Sequence, residues 1–307
     1  MDGLKEARCI VCGNDDTAKM NIKYFLEQCV VVECGICGFN FIPPYYREKI
    51  EYRKYKSNAV YKEVQKGNEW LKIQRNLLKF KAIRKYKKHG SILDIGSGWG
   101  HFLLTGKQLG YKVKGVELSE TGYQYSTEVL ELPALNIDFM EMDETEKYDI
   151  ITMWDVLEHM DNADEILKKC RRILNPNGYI FIHVPQIDSL LARLFDDKWI
   201  GMGLDHVNYF SKPTITRILE QNGFRVKSIL SSLEMKVYLM YFVLPLLQKK
   251  KLRSYISPAE RQQFFNKVTS KAPWKLKLFV FVHNLLYTLL SKLHIGDEML
   301  VIAKKVR

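Results

Sequence analysis

The chain has 307 residues, 47% of them apolar, which is the composition of an ordinary globular protein with room for one large and one small domain. The longest uncharged apolar stretch near the C-terminus, 278–290, has 13 residues, whereas a membrane-spanning helix needs about 20. The net charge of +12 is uneven, because 47–90 and 211–307 are basic and 91–210 is acidic. With no signal-peptide pattern at the N-terminus, we expect a cytoplasmic protein with reduced thiols.

Two matching cysteine pairs open the chain, CIVCG at 9–13 and CGICG at 34–38. Two residues between thiolates allow one tight turn to present both sulfurs to a single ion, and the following glycine permits close backbone approach. The alternation of 23–33, KYFLEQCVVVE, predicts strands between the pairs. We therefore expect 1–46 to form a zinc ribbon that holds a structural zinc ion, with Cys29 and Cys170 packed elsewhere as core thiols. The predicted ligands are Cys9, Cys12, Cys34 and Cys37.

The segment 47–90 is a basic, helical linker. Apolar residues recur at helical spacing from Trp70 to Ile83, which predicts an amphipathic helix over about 68–88. Its interleaved lysines and tyrosines are compatible with RNA or anionic lipid, and equally with a solvated helix face at a domain junction.

From residue 91 onward, apolar strands alternate with helical patterns. The predicted strands are 91–96, 112–118, 135–139, 148–154, 178–185, 224–230 and 298–305, with helices between them. This order predicts an α/β fold with a seven-stranded, mostly parallel, doubly wound sheet of the Rossmann-like kind. Its ligand is expected at the carboxyl ends of the strands.

The glycine loop of 94–100, DIGSGWG, lacks the spacing that binds a dinucleotide or a triphosphate. No glycine stands at 101, and no lysine follows for a phosphate-binding loop. The preceding Asp94 suits a ligand with positive charge rather than a pyrophosphate. Glu117, at the end of the second strand, is placed to accept both hydroxyls of a ribose.

These segments together resemble the class I S-adenosylmethionine-dependent methyltransferases. The matching motifs are DIGSGWG, VEL at 116–118, YDIITMWDVLEHM at 148–160 and LNPNGYIFI at 174–182. The resemblance implies S-adenosylmethionine as cofactor, its methionine part along the glycines, its ammonium at Asp94 and its adenine near Asp138 and Phe139. The implied cofactor positions are Asp94, Gly96, Ser97, Gly98, Gly100, Glu117, Leu118, Asp138, Phe139, Trp154 and Asp155.

Three histidines near strand ends are candidate catalytic bases: His206, His183 and His159. Methyl transfer is an in-line displacement in which the acceptor loses a proton, so a positioned base is required. We favour His206, which lies in the loop 198–213 where the resembling family receives its acceptor. His183 could instead be buried structure, and His159 could shape its loop.

Residues 236–295 form a predicted helical insertion between strand six and the last strand, so that 91–235 and 296–307 make up the methyltransferase domain. Short apolar stretches flanked by lysine and tryptophan are typical of a lid or dimer surface, or of contact with the inner face of a membrane. We expect methyl transfer to a small-molecule, sugar or lipid-linked acceptor. The alternatives are an RNA-modifying enzyme that uses the ribbon and basic linker, and a scaffold that binds the cofactor without turnover.

Overall fold

The fold was established from a computed structural model of the chain. It describes residues 4, 6–26, 28–47, 69–199, 201–203, 205–232 and 296–306. The predicted insertion of 236–295 lies outside the described residues, and so does 48–68, about half of the basic linker.

The N-terminal segment forms a small antiparallel sheet, as the alternation of 23–33 predicts. Its strands are β1 (Met20–Phe25), β2 (Val30–Cys34) and β3 (Asn40–Phe41), each paired with the next. A short 3-10 turn, Thr17–Lys19, leads into β1 and is capped by the carboxylate of Asp16. A fourth strand from much later in the chain completes this sheet.

Two helices follow the small sheet, α1 (Pro44–Arg47) and α2 (Glu69–Ile83). The second is the predicted amphipathic helix, and it ends five residues earlier than expected. Phe80 and Ile83 on its apolar face are buried, and the Phe80 ring stacks on Phe102 with centroids 4.7 Å apart. Helix α2 therefore packs on the large sheet beside the glycine loop.

The large sheet has seven strands in the order β10-β11-β8-β7-β4-β5-β6. Strands β4 to β8 are parallel neighbours, whereas β11 is antiparallel to both β8 and β10. The predicted seven-stranded, mostly parallel sheet is confirmed. The bounds are β4 (Ser91–Ile95), β5 (Lys112–Val116), β6 (Ala134–Leu135), β7 (Tyr148–Trp154), β8 (Leu174–Pro185), β10 (Phe224–Ser232) and β11 (Glu298–Lys305), with β9 (Asn208–Tyr209) belonging to the small sheet.

Helices cover both faces of this sheet, as a doubly wound fold requires. They are α3 (His101–Gln108), α4 (Glu120–Gln124, continued by a π-helical turn over Tyr125–Val129), α5 (Ala163–Ile173), α6 (Leu190–Phe195) and α7 (Lys212–Gln221). Short 3-10 turns lie at Phe139–Glu141, Leu157–His159 and Asp196–Lys198. In the described part of the chain, no helix is both long and apolar enough to span a bilayer.

The third strand of the large sheet differs from the prediction of 135–139. It is only the two residues of β6, whose backbone bonds to β5 run through Pro133 and Leu135. The strand ends early because Asp138 turns the chain into a 3-10 helix, accepting a hydrogen bond from the Met140 N–H at 2.8 Å.

Strand β9 comes from the predicted methyltransferase part of the chain but pairs antiparallel with β3 of the small sheet. Asn40 lies opposite Tyr209, and Phe41 lies opposite Asn208. The Ile42 N–H also donates to the Val207 carbonyl at 3.0 Å. The loop that carries His206 is thus held as an added strand on the N-terminal sheet.

Candidate active site

The glycine loop bends sharply where β4 ends, because all three glycines have positive φ. At Gly96 an added Cβ would lie 2.6 Å from the Val156 side chain, so the turn packs tightly against the chain that follows β7. At Gly98, with φ of +54°, an added Cβ would meet no atom within 4 Å. The open side of the loop is therefore beside the Cα of Gly98.

Glu117 binds the backbone of this loop. Its Oε2 accepts a hydrogen bond from the Gly98 N–H at 2.6 Å, and its Oε1 accepts one from the Ser119 N–H at 2.8 Å. Burial raises the pKa of the Glu117 carboxyl, while these backbone N–H groups lower it. The glycine loop and the end of β5 are thus joined at one carboxylate, as the resemblance implies for a ribose-binding site.

Asp94, the last polar residue of β4, is almost fully buried. Its Oδ1 accepts a hydrogen bond from the Thr152 hydroxyl at 2.6 Å across the β4–β7 pair. Burial raises the pKa of Asp94 to about 7; the Thr152 bond and the charge of Lys79 act against this rise, and Glu117 adds to it. A buried acid of this kind favours a cationic ligand, whose charge would stabilise the ionised carboxylate.

The predicted adenine positions lie at the outer edge of the sheet, next to β6. Asp138 is exposed and its Oδ1 caps the 3-10 turn, while Phe139 is buried with the Lys169 Nζ 5.2 Å from its ring centroid. Leu118 exposes 46% of its side chain beside Glu117. Of these three positions, Leu118 offers the most accessible apolar surface for a base.

Trp154, Asp155 and His183 come together at the ends of β7 and β8. Asp155 has φ of +57°, a region that Asp tolerates, and its N–H donates to the His183 carbonyl at 3.0 Å. This turn brings the Asp155 Oδ1 to 2.6 Å from the His183 Nδ1. The Trp154 ring lies next to His183 and has the Lys79 Nζ 4.1 Å from its centroid.

His159 and His206 form a second cluster with Glu158, which is 1% exposed. The imidazole centroids are 4.7 Å apart, and each Nδ1 contacts a backbone carbonyl, His159 that of Asp205 at 2.7 Å and His206 that of Gly201 at 2.9 Å. Burial, with the neighbouring His159, lowers the pKa of His206 to about 4. The His206 imidazole is half-buried, and its lowered pKa favours the neutral ring.

The four predicted zinc ligands lie together at the turns of the N-terminal sheet. Cys9 and Cys37 have their Sγ atoms 3.5 Å apart, as do Cys12 and Cys34, and all four sulfurs lie within 4.8 Å of one another. Thiolates around one tetrahedral zinc lie about 3.8 Å apart, so this cluster fits the ion. The other two cysteines, Cys29 and Cys170, are buried away from it in the core, as predicted.

Three polar residues of the site were missed from the sequence: Lys79, Thr152 and Glu298. Thr152 had a signal, since it is the polar residue of the apolar run IITMW, and Glu298 had one, since it opens an apolar strand. Lys79 had none that separates it from the other lysines of α2. Their partners are set by strand register and helix packing, which single-sequence patterns do not give.

The seven-stranded sheet with its antiparallel β11, together with the glycine loop and the acids that end β4 and β5, defines a class I S-adenosylmethionine-dependent methyltransferase. Residues 68–229, just over half of the chain, match the sequence profile of the family described as a methyltransferase domain. The chain belongs to this family.

Curated relatives include two proteins named ubiquinone biosynthesis O-methyltransferase. The protein from Glaesserella parasuis is 28% identical over 156 residues, a match that covers 45% of this chain and 66% of that protein, just under two thirds. The protein from Pelagibacter ubique is 24% identical over 172 residues, covering 51% of this chain and 72% of that protein.

Solved structures show the same fold at low identity. A 1,6-didemethyltoxoflavin-N1-methyltransferase from Burkholderia thailandensis, solved with its namesake compound and S-adenosylhomocysteine, has a TM-score of 0.52 and 12% identity. The match covers 94% of this chain and all of that chain. A SAM-dependent methyltransferase from Thermotoga maritima has a TM-score of 0.50 and 17% identity, covering 80% and 97%. These likenesses concern the fold alone.

Proposed function

We propose that the protein transfers the methyl group of S-adenosylmethionine to a hydroxyl group of a small-molecule acceptor. The observation that carries the proposal is the alignment, along one sheet edge, of the buried Asp94 and the half-buried Glu117 with the glycine loop and with the Asp155–His183 pair. Acids next to an open glycine loop suit a donor that carries positive charge and a ribose. A histidine further along the same edge suits an acceptor that loses a proton.

The residues of this chain would hold the donor as follows. The Asp94 carboxylate pairs with the ammonium group, Glu117 accepts from the ribose hydroxyls, and Leu118 packs against the adenine. The donor supplies an electrophilic methyl group on a sulfonium centre. Trp154, at the end of β7, would border that centre, because the carboxyl ends of β4 and β7 are neighbours in the sheet.

The acceptor's proton requires a base near Trp154, and the geometry favours His183 over His206. Asp155 accepts a hydrogen bond from Nδ1 of His183, which fixes the tautomer and stabilises the imidazolium formed on proton uptake. His206 lacks this support, since its own Nδ1 faces a backbone carbonyl and its pKa is lowered. The sequence preference for His206 is therefore replaced by a proposal for His183, with His206 and His159 shaping the acceptor side.

The class of acceptor rests on the relatives, whose printed names describe O-methyltransferases. The predictions of a lipid-linked acceptor and of contact with a membrane surface rest on the insertion of 236–295, and that of RNA binding rests on the ribbon of 1–46 and the linker of 47–90. Of these segments, 48–68 and 236–295 lie outside the described residues. All three stay predictions of the sequence. A cofactor-binding scaffold without turnover is the alternative, and a measurement of turnover distinguishes it from the enzyme.

We also propose that the four cysteines bind one structural zinc ion. Four protein thiolates leave no open coordination position, so this ion would not take part in the chemistry. Its contribution is to the fold of the N-terminal sheet, and through β3 and β9 to the loop that carries His206.

Calorimetric titration of the purified full chain with S-adenosylmethionine and S-adenosylhomocysteine tests the donor site. Release of S-adenosylhomocysteine in the presence of phenol, catechol and hexose probes then tests the acceptor class. Saturable binding of both nucleosides is expected, together with turnover on at least one hydroxyl probe. Absence of any nucleoside binding contradicts the proposal, and binding without turnover on any probe favours the scaffold.

A further inference from the structure

His183 lies between two carboxylates from different strands. Its Nδ1 is 2.6 Å from the Asp155 Oδ1, and its Nε2 is 3.4 Å from the Glu298 Oε2. The side chains of His183 and Glu298 are 10% and 8% exposed. The Asp155 side chain is 39% exposed and stays in contact with solvent. The Glu298 carboxylate is costly to bury unless a positive charge or a hydrogen bond compensates it, because carboxylates away from water are strongly destabilised when unpaired.

The strand register explains why Glu298 reaches this histidine. In the β8–β11 pair, Glu298 lies opposite Pro185 and Leu300 lies opposite His183. Residues two apart on a strand share a face, so the Glu298 side chain lies on the face of Leu300 and His183. The antiparallel direction of β11 places its first residue at the carboxyl end of β8, where ligands bind in this fold.

The chemistry of imidazole gives the two contacts different roles. With Asp155 accepting from Nδ1–H, the neutral ring carries its lone pair on Nε2, the nitrogen that lies 3.4 Å from the Glu298 Oε2. Protonation of Nε2 converts this nitrogen into a donor and gives the ring a positive charge between the two carboxylates. Both carboxylates therefore favour the protonated ring.

We propose that Glu298 is a positioning residue for methyl transfer, which with Asp155 holds His183 ready to take the acceptor's proton at Nε2. The inference rests on the proposed function and names a residue that the sequence gave no role. In the step, the acceptor O–H bond breaks, and its proton forms the N–H bond at Nε2. The acceptor oxygen forms the bond to the methyl carbon, and the electron pair of the C–S bond goes to sulfur, leaving a neutral thioether.

Other charges face this histidine from the elements around it. Lys79 of α2 lies over the neighbouring Trp154 ring, and Asp155 also acts electrostatically on His206. The Lys79 charge opposes protonation of His183, while Asp155 and Glu298 favour it. Removing Glu298 alone therefore changes the balance in one direction, toward the neutral ring.

The test is nuclear magnetic resonance of the full chain labelled with 15N-histidine, saturated with S-adenosylhomocysteine and titrated with acid and base. His183→Gln assigns the resonance by its loss. In the wild type the neutral ring is expected as the Nδ1–H tautomer. In Glu298→Gln, which keeps the shape and removes the charge, the midpoint of His183 protonation is expected to fall by about one pH unit or more.

Asp297→Asn is the matched control, since it neutralises the adjacent buried carboxylate and is expected to leave the His183 midpoint in place. Glu298→Asp keeps the charge on a shorter arm, and its midpoint is expected between those of the wild type and Glu298→Gln. It also serves as the test variant if Glu298→Gln does not fold. An unchanged midpoint in the variant that folds, or an Nε2–H tautomer in the wild type, overturns the inference.

The two proposals fail in different ways. If the wild-type chain binds neither S-adenosylmethionine nor S-adenosylhomocysteine, the proposed function fails, whatever the titration shows. If it binds both and turns over a hydroxyl probe, Glu298→Gln is expected to lower kcat at neutral pH at least about tenfold with the dissociation constant of S-adenosylmethionine unchanged. A kcat equal to that of the wild type contradicts the role of Glu298 alone.

Discussion

Asp94 gives the sharpest test of the donor site, because its ionisation is linked to cofactor binding. Its carboxyl is buried against Thr152, and burial raises its pKa to about 7. The free protein therefore holds a proton there in mildly acid solution. A bound ammonium group favours the ionised form, so binding releases that proton and the affinity for S-adenosylmethionine depends on pH.

The size of the effect follows from the pKa. One pH unit below a pKa of about 7, only about a tenth of the carboxyl groups are ionised, whereas about nine tenths are ionised one unit above. The dissociation constant of S-adenosylmethionine is therefore expected to be about tenfold larger at about pH 6 than at about pH 8. Asp94→Asn removes the charged partner, which is worth about 1.5–3 kcal/mol, or a roughly 10- to 150-fold loss of affinity at about pH 8.

Calorimetric titration across this pH range, in two buffers of different ionisation enthalpy, measures both the affinity and the protons released. In Asp94→Asn the part of the slope that comes from Asp94 is lost, while ionisation of the ligand itself is unchanged, so the variant is its own control. Thr152→Val removes the bond that lowers the Asp94 pKa, and so moves the slope to higher pH. A wild-type slope equal to that of Asp94→Asn refutes the reasoning.

The same residue has an opposite effect on stability. Its pKa is 3.8 in the unfolded chain and about 7 when folded, so the folded state binds more protons between these values. The free energy of unfolding of the ligand-free protein is therefore expected to fall as the pH rises from about 4 to 7. Asp94→Asn loses this dependence, and above neutral pH it is expected to unfold at a higher temperature than the wild type, measured by calorimetry without ligand.

Three further changes test other parts of the site. Gly98→Ala is expected to weaken S-adenosylmethionine binding while lowering the melting temperature less than Gly96→Ala does, because only the Cβ at position 96 clashes with the chain after β7. Equal losses of stability in the two variants would contradict an open side at Gly98. Glu117→Gln is expected to weaken binding about tenfold in the same titration. Cys37→Ser is expected to lower the zinc content found by elemental mass spectrometry, while Cys29→Ser, outside the cluster, leaves it unchanged.

The sequence predicted the order of the large sheet's elements well, because its strands are long apolar runs that alternate with amphipathic helices. It failed at β6, where the run LNIDF reads as a strand although Asp138 caps a turn instead. An edge strand of two residues has too few side chains for alternation to appear. Short edge elements are decided by local capping and by their neighbour, not by their own pattern.

The candidate site divides in the same way. The glycine loop and Glu117 are contiguous with strand ends, so a local motif suffices to find them. The pairing of His183 with Glu298 joins residues more than a hundred positions apart, and it depends on the register of β11 against β8. The preference for His206 came from its loop position, whereas the partner at each Nδ1, a carboxylate for His183 and a backbone carbonyl for His206, depends on the tertiary structure.

The N-terminal sheet, which carries the cysteine cluster, is bonded to the loop that carries His206. A role for the cluster in supporting this loop therefore requires no nucleic-acid partner. The Val207 backbone joins the two parts, since its carbonyl accepts from the Ile42 N–H at 3.0 Å and its N–H donates to the Glu158 carbonyl at 2.8 Å. Only four residues separate Cys37 from Ile42. A zinc ion held by the four cysteines, as proposed above, would fix this turn, and with it strand β3, which pairs with β9 next to the loop that carries His206. We infer that the N-terminal sheet stabilises the loop that carries His206, on the acceptor side of the site. Without the pairing of β9 with β3, this loop would be irregular.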